Sequence, residues 1–255
     1  MYKYLTILVP MIFSCCSGKG QQRTPEKMIG TGLLTVNTLY PVPLYKNYTD
    51  NMPFDTLKFQ VAKSGVTSFI SKIRLKPYVM SGGDSYEAGK KNVQMGLIRF
   101  SPELKFRVTD TTASFFKIVT NEETGETFIV KRNAASAYYT SEKELYDHSC
   151  SNCPGIQYNP KWYFFETWER YLKRVEFITK ENLVIYDQPN GKIIFENREK
   201  TFLPFTVTAV KGEWIKLKKG FGREFNFDSS KNYDGWTKWL EGQQKVIDIV
   251  EHTYE

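Results

Sequence analysis

From Phe205 to Lys218 apolar and polar residues alternate, Phe205-Thr-Val-Thr-Ala-Val210 and then Glu213-Trp-Ile-Lys-Leu-Lys218, on either side of Lys211-Gly212. A period of two with a glycine turn between the runs predicts a β-hairpin with one face buried and the other in water. Similar runs recur at Thr67-Ser-Phe-Ile70, Gln94-Met-Gly-Leu-Ile-Arg-Phe100, Leu104-Lys-Phe-Arg-Val-Thr109 and Phe115-Phe-Lys-Ile-Val119. The fold class read from this pattern is mostly β, with one or two short helices. Ser141-Glu-Lys-Glu144 has capping-box spacing and predicts one helix start. Asn159-Pro160 supplies a cap and first position for a second helix over Lys161 to Arg174, with Phe164, Trp168, Tyr171, Leu172 and Val175 on one face. The rival reading makes that segment a strand.

The pattern also repeats at long range. Val42-Pro-Leu-Tyr45 followed by Pro53-Phe-Asp-Thr-Leu-Lys-Phe59 is echoed by Leu183-Val-Ile-Tyr186 followed by Gly191-Lys-Ile-Ile-Phe195. The hairpin runs starting at Leu104 and Phe115 are echoed by those starting at Leu203 and Trp214, and Trp168-Glu-Arg-Tyr-Leu172 resembles Trp236-Thr-Lys-Trp-Leu240. Two copies in one order predict two small domains, residues 31–178 and 179–255. The first is lengthened by insertions at about 60–101 and 133–160, where a special function has room to reside.

With 255 residues, 41% hydrophobic and 15% aromatic content, the chain is apolar enough to bury one large or two small cores. Its net charge of +7 is spread among acidic residues without long basic runs, which reads as a solvated surface and argues against nucleic acid.

The N-terminus has a separate logic. Lys3 precedes an apolar run from Tyr4 to Phe13, then Ser14-Cys15-Cys16 and the polar Ser17-Gly-Lys-Gly-Gln-Gln-Arg23. The run is too short to span a bilayer and reads as an export signal, residues 1–15, with residues 16–30 as a tether. It resembles a bacterial lipoprotein signal, which implies lipid attachment at Cys15 and a place in the cell envelope, at the periplasmic face of an outer membrane. A plainly secreted protein is the alternative.

Glu181-Asn-Leu-Val-Ile-Tyr-Asp-Gln-Pro-Asn-Gly191, the Phe205 to Leu217 hairpin with its Gly212-Glu-Trp214, and Asp234-Gly-Trp-Thr-Lys-Trp239 together resemble a bacterial SH3-like domain. The likeness covers about residues 180–255. In the first copy Asp110 to Ser114 replaces the glycine turn and Phe115-Phe116 stands where Trp214 stands, so the likeness passes there only through the repeat. The resemblance implies tandem small SH3-like β-barrels, the first with large insertions, of the kind found in Gram-negative envelopes. It also implies binding rather than chemistry: aromatic surfaces presented to a peptide, a peptidoglycan stem peptide or an envelope protein, with no cofactor. Tyr186, Trp214 and Trp236 are the candidate binding rings, with Tyr45 as the first-copy counterpart of Tyr186. For each ring the alternative is core packing.

One segment invites chemistry, Asp147-His148-Ser149-Cys150-Ser151-Asn152-Cys153-Pro154-Gly155. In an exported chain Cys150 and Cys153 are expected to form a local disulfide; a metal site with His148, or a redox dithiol, are the other readings. His148 and His252 are the only histidines, and no phosphate, dinucleotide or calcium loop is present in the sequence. Three functions remain in view. The first is a lipid-anchored envelope binding protein. The second is an inhibitor or immunity-type lipoprotein that uses the insertions against an envelope-active toxin. The third is a thiol or metal enzyme built on Cys150, Cys153 and His148.

Overall fold

The structure is a computed structural model and describes residues 29–61, 67–80, 103–149, 159, 161–219 and 233–251. The first half comprises β1 (Gly32–Asn37), β2 (Val42–Leu44), β3 (Asp55–Val61), β4 (Thr67–Ile70), β5 (Val79–Met80), β6 (Glu103–Thr111), β7 (Phe115–Asn121), β8 (Glu126–Lys131), β9 (Ala137–Tyr139), α1 (Glu142–Ser149), β10 (Trp162–Thr167) and α2 (Trp168–Arg174). The second comprises β11 (Phe177–Thr179), β12 (Val184–Tyr186), β13 (Ile193–Glu196), β14 (Phe205–Lys211), β15 (Trp214–Lys219), β16 (Gly235–Lys238), β17 (Leu240–Glu241), β18 (Gln244–Lys245) and β19 (Asp248–Val250). The chain is mostly β, as its alternation predicts.

The two halves order their strands alike. The second sheet runs β13-β12-β16-β15-β14-β11-β19. In the first, the order β8-β7-β6-β1-β10 repeats β16-β15-β14-β11-β19, and the Tyr45–Ile129 bridge attaches β2 and β3 beyond β8 as the Tyr186–Trp236 pair attaches β12 and β13 beyond β16. Both sheets stay open along this path. A bulge falls at the same place in β6 and β14, between Val108 and Asp110 and between Val207 and Ala209. There the Thr109 hydroxyl donates to the Lys117 carbonyl at 3.3 Å and the Thr208 hydroxyl to the Lys216 carbonyl at 3.2 Å. A bulge bends a strand and turns its side chains, so both sheets curl at the same point.

The expected helix over Lys161 to Arg174 divides in two. Trp162 to Thr167 form β10, between β1 and β9, and only Trp168 to Arg174 are helical. Both faces of β10 are covered: Tyr163 stacks on Tyr138 at 5.3 Å, and Trp162 and Phe164 pack with Leu145 of α1. An aromatic run buried on two sides suits a strand, and tertiary packing overrides the helical stripe. Thr167 then caps α2 by accepting the Arg170 N–H at 3.4 Å. Accordingly Trp168 is not the counterpart of Trp236: it opens a helix, whereas Trp236 lies in β16, whose counterpart is β8. The cap of α1 is close to expectation, with Ser141 Oγ accepting the Glu144 N–H at 3.3 Å, but Glu144 reaches back to the Thr140 N–H at 3.2 Å.

Each half has its own core, and the two meet. Leu34, Val36, Phe106, Val108, Phe116 and Ile118 fill the first with Leu44 and Leu57 from the attached strands. Ile178, Ile185, Phe205, Ile215, Leu217 and Ile249 fill the second, together with Trp168, Tyr171, Leu172 and Val175 from and beside α2 and Leu33 from the back of β1. The first sheet is thus covered on both faces, and α2 belongs by its packing to the second core. Among the described residues no helix is long and apolar enough to cross a membrane.

Candidate functional site: a duplicated aromatic and lysine face

On the outer face of the second sheet, Tyr186 of β12 stands opposite Trp236 of β16, which stands opposite Lys216 of β15. Residues directly opposite in antiparallel strands share a face, and so do residues two apart on one strand. Trp214 and Lys238, themselves opposite each other, therefore join the same face. The intervening Ile185, Ile215 and Leu217 point into the core. Tyr186 meets Trp214 edge-on with ring centres 5.1 Å apart, and the Lys238 ammonium lies 5.5 Å from the Trp214 ring centre. The structure thus brings together three of the four rings expected from the sequence.

Their exposure separates their roles. Tyr186 and Trp236 are half-buried and present ring surface to solvent, whereas Trp214 is only 7% exposed. Trp214 is therefore a buried support under Tyr186 and Lys238 and offers little ring for a ligand to touch, a correction to its expected role.

The fourth ring, Tyr45, occupies the matching place in the first half. It bridges to Ile129 of β8, which is opposite Lys117 of β7, while Lys131 and Phe115 form the neighbouring pair. Five positions correspond: Tyr45 to Tyr186, Ile129 to Trp236, Lys117 to Lys216, Phe115 to Trp214, and Lys131 to Lys238. The tyrosine and both lysines are identical in the two copies. Lys131 lies 4.5 Å from the Tyr45 ring centre, and its ammonium donates to the Asp50 carbonyl at 2.5 Å. Tyr48, half exposed, rests on Phe115 at 5.2 Å and extends this face.

Backbone geometry fixes the second face. Gly235 has φ +154°, and a Cβ there would lie 2.7 Å from the Tyr186 carbonyl oxygen and 2.5 Å from Ile185 Cγ2. Only glycine lets β12 approach β16 closely enough to seat Tyr186 beside Trp236. Trp239, which follows on the opposite side, donates its indole N–H to the Gly212 carbonyl at 2.8 Å and ties the hairpin tip to β16.

The electrostatics of this face are positive. Lys117 and Lys216 are exposed, and Lys131 and Lys238 half-buried. Asp110, opposite Lys117, offsets part of this charge in the first half, and near the second face the Lys180 ammonium donates to the Lys238 carbonyl at 2.8 Å. Burial lowers the Lys180 pKa from the usual lysine range; Glu241 works against the shift and the Lys238 charge adds to it. Sequence reasoning found the rings and missed the lysines. Phe115-Phe-Lys117 and Trp214-Ile-Lys216 aligned within the repeat and held the signal, but lysine on a strand reads as ordinary solvated surface.

The remaining candidates lie apart from this face. Cys15, Cys150 and Cys153 fall outside the described residues, as does His252. His148 lies in the last turn of α1 with its ring stacked on Tyr139 at 6.1 Å. Among the described residues no group of three or more His, Cys, Asp and Glu is arranged to hold a metal ion. Comparison with known protein families, with curated proteins and with solved structures returns no match to this chain.

Proposed function

We propose that this chain is a lipid-anchored cell-envelope binding protein, attached through Cys15, whose two halves are SH3-like modules that present an aromatic face to an extended peptide. The observation that carries this reading is the recurrence of one face in both halves, Tyr45 with Lys117 and Lys131 in the first and Tyr186 with Lys216 and Lys238 in the second, at corresponding registers. Core packing explains a repeated apolar residue; it does not explain repeated tyrosine and lysine on the solvent side. The strand order of each half, a three-stranded meander flanked by a hairpin on one side and by early and late strands on the other, suits the SH3-like reading. Rigid rings with polar edges bind extended chains at low cost in conformational entropy, and this favours binding over chemistry as the activity of the face.

The reading is tested by capture of peptidoglycan stem peptides on the full chain. Tyr186→Ala and Trp236→Ala are each expected to remove the second face's share of the capture, leaving that of the first, while the melting transition survives. Unchanged capture by both variants rejects the groove. Cell fractionation of Cys15→Ser tests the anchor, with release from the membrane pellet as the expected result, because stable anchoring depends on the acyl chains.

A further inference from the structure

We infer that the partner of these faces is anionic: each face takes an extended acidic peptide, its carboxylates on the paired lysines and its backbone or side chains on the rings. The inference rests on the proposed binding role and names its ligand class. The two copies have diverged at most positions. On the face, Ile129 has become Trp236 and Phe115 has become Trp214, yet Lys117 and Lys216, and Lys131 and Lys238, remain the same residue at the same register. A role shared by the copies therefore runs through the ammonium groups as well as the rings.

The charge around the faces agrees. Lys216 lies opposite Ala209 and Trp236, with no acidic residue in register, whereas its counterpart Lys117 lies opposite Asp110, so the second face is the more positive. The Lys238 ammonium lies 5.5 Å from the Trp214 ring centre, diagonal across the strands to Lys216. In the first half Lys131 lies against Tyr45 and 5.7 Å from the centre of the Tyr48 ring, and Lys46 stands 4.0 Å over Phe54. A diagonal pair of lysines beside aromatic surface on each face, in a chain of net charge +7, complements a carboxylate-bearing peptide.

Titration of the full chain with an oligoglutamate peptide, and with oligoglutamine as its neutral partner, tests this by tryptophan fluorescence and calorimetry. Oligoglutamate is expected to bind at two sites per chain and at least about tenfold more tightly than oligoglutamine, with the preference lost near 1 M salt, where the screening length is about 3 Å. Lys216→Gln with Lys238→Gln should remove the site that quenches tryptophan, and Lys117→Gln with Lys131→Gln the other. Lys72→Gln with Lys143→Gln makes the same change in net charge away from both faces and should leave binding intact. If that control weakens binding as much, the attraction is diffuse and the inference is overturned. Equal binding of both peptides, still sensitive to Trp236→Ala, overturns the acidic partner while the groove stands. If neither peptide binds, no acidic-peptide site exists on these faces, and capture of stem peptides then decides separately whether the groove survives.

Discussion

Arg174, in the last turn of α2, donates to Glu251, just beyond β19, at 2.8 Å, and Lys105 of β6 pairs with the same carboxylate. Glu166 of β10 and Glu142 of α1 complete the ring of charge around Arg174, the latter at 2.8 Å, and the Tyr171 hydroxyl donates to Glu251 at 3.4 Å. One carboxylate therefore joins a strand of the first sheet to the helix and the last strand of the second core. Burial alone would raise the Glu251 pKa, but Lys105 and Arg174 outweigh it and hold the carboxyl at about 2, against an ordinary value of 4.5.

The sign of the pH dependence follows. A carboxyl whose folded pKa lies below its unfolded one contributes its full stabilisation above the unfolded value and loses it as pH falls. The stability from Glu251 should therefore be complete above about pH 4.5 and disappear between there and about pH 2, roughly 3 kcal/mol in all. Glu251→Gln is expected to flatten this part of the acid limb in urea melts recorded across that range, and to destabilise the protein at neutral pH because Lys105 and Arg174 lose a partner. An acid limb equal in slope to that of wild type would contradict the assignment.

The packing of α2 bears on how the halves fold. A fragment of residues 176–255 contains the whole second copy as the sequence divides it, and on that reading folds alone. Trp168, Tyr171, Leu172 and Val175 lie outside it and inside the second core, with Trp168 and Trp239 ring centres 5.7 Å apart. That fragment is expected to lack a cooperative melt. Trp168→Ala in the full chain should cost about 3–5 kcal/mol, the usual range for deleting a buried tryptophan, although Trp168 belongs by chain position to the first copy.

Much of this architecture was legible in the sequence. The Phe205 to Lys218 alternation gave a hairpin with Gly212 at φ +58° in its turn, and the repeat of the Leu104 run at Leu203 and the Phe115 run at Trp214 gave corresponding strands with corresponding bulges. Periodicity misled where an element is buried on two sides. The Trp162 to Thr167 run has the apolar content of a helical stripe, and nothing local reveals that β1 and β9 will flank it. The pairing of Trp168 with Trp236 failed for a related reason, since a shared tryptophan outweighed the register that ties Trp236 to Ile129. The candidate rings were legible because Tyr45 and Tyr186 hold the same place in the repeat and Trp214 and Trp236 follow closely on the glycines Gly212 and Gly235. The lysines were not, because their meaning depends on which strand lies opposite.

Gly235 offers a test of how tightly the second face is built. Gly235→Ala adds a Cβ against the Tyr186 carbonyl and Ile185 at a φ that disfavours side chains, and is expected to cost about 1–3 kcal/mol and displace Tyr186. Gly212→Ala shares only the positive φ, with open space around its Cβ, and should cost about 1 kcal/mol. Thermal melts of the two variants side by side check the order. Equal losses would mean that β12 can retreat from β16 without consequence.

The two face tryptophans should part company under truncation. Trp214 is 7% exposed and supports Tyr186 from below, so Trp214→Ala removes a buried ring and is expected to cost about 3–5 kcal/mol, lowering the melting point and weakening binding together. Trp236 keeps part of its ring in water between Tyr186 and Lys216, so Trp236→Ala should cost about 1–2 kcal/mol of stability, less than Trp214→Ala, while removing most of the ligand contact at the second face. Melting curves and peptide titrations on the same two preparations separate these effects. If Trp236→Ala instead destabilises the chain as strongly as Trp214→Ala, the ring is structural and the solvent side of this sheet is not the binding surface.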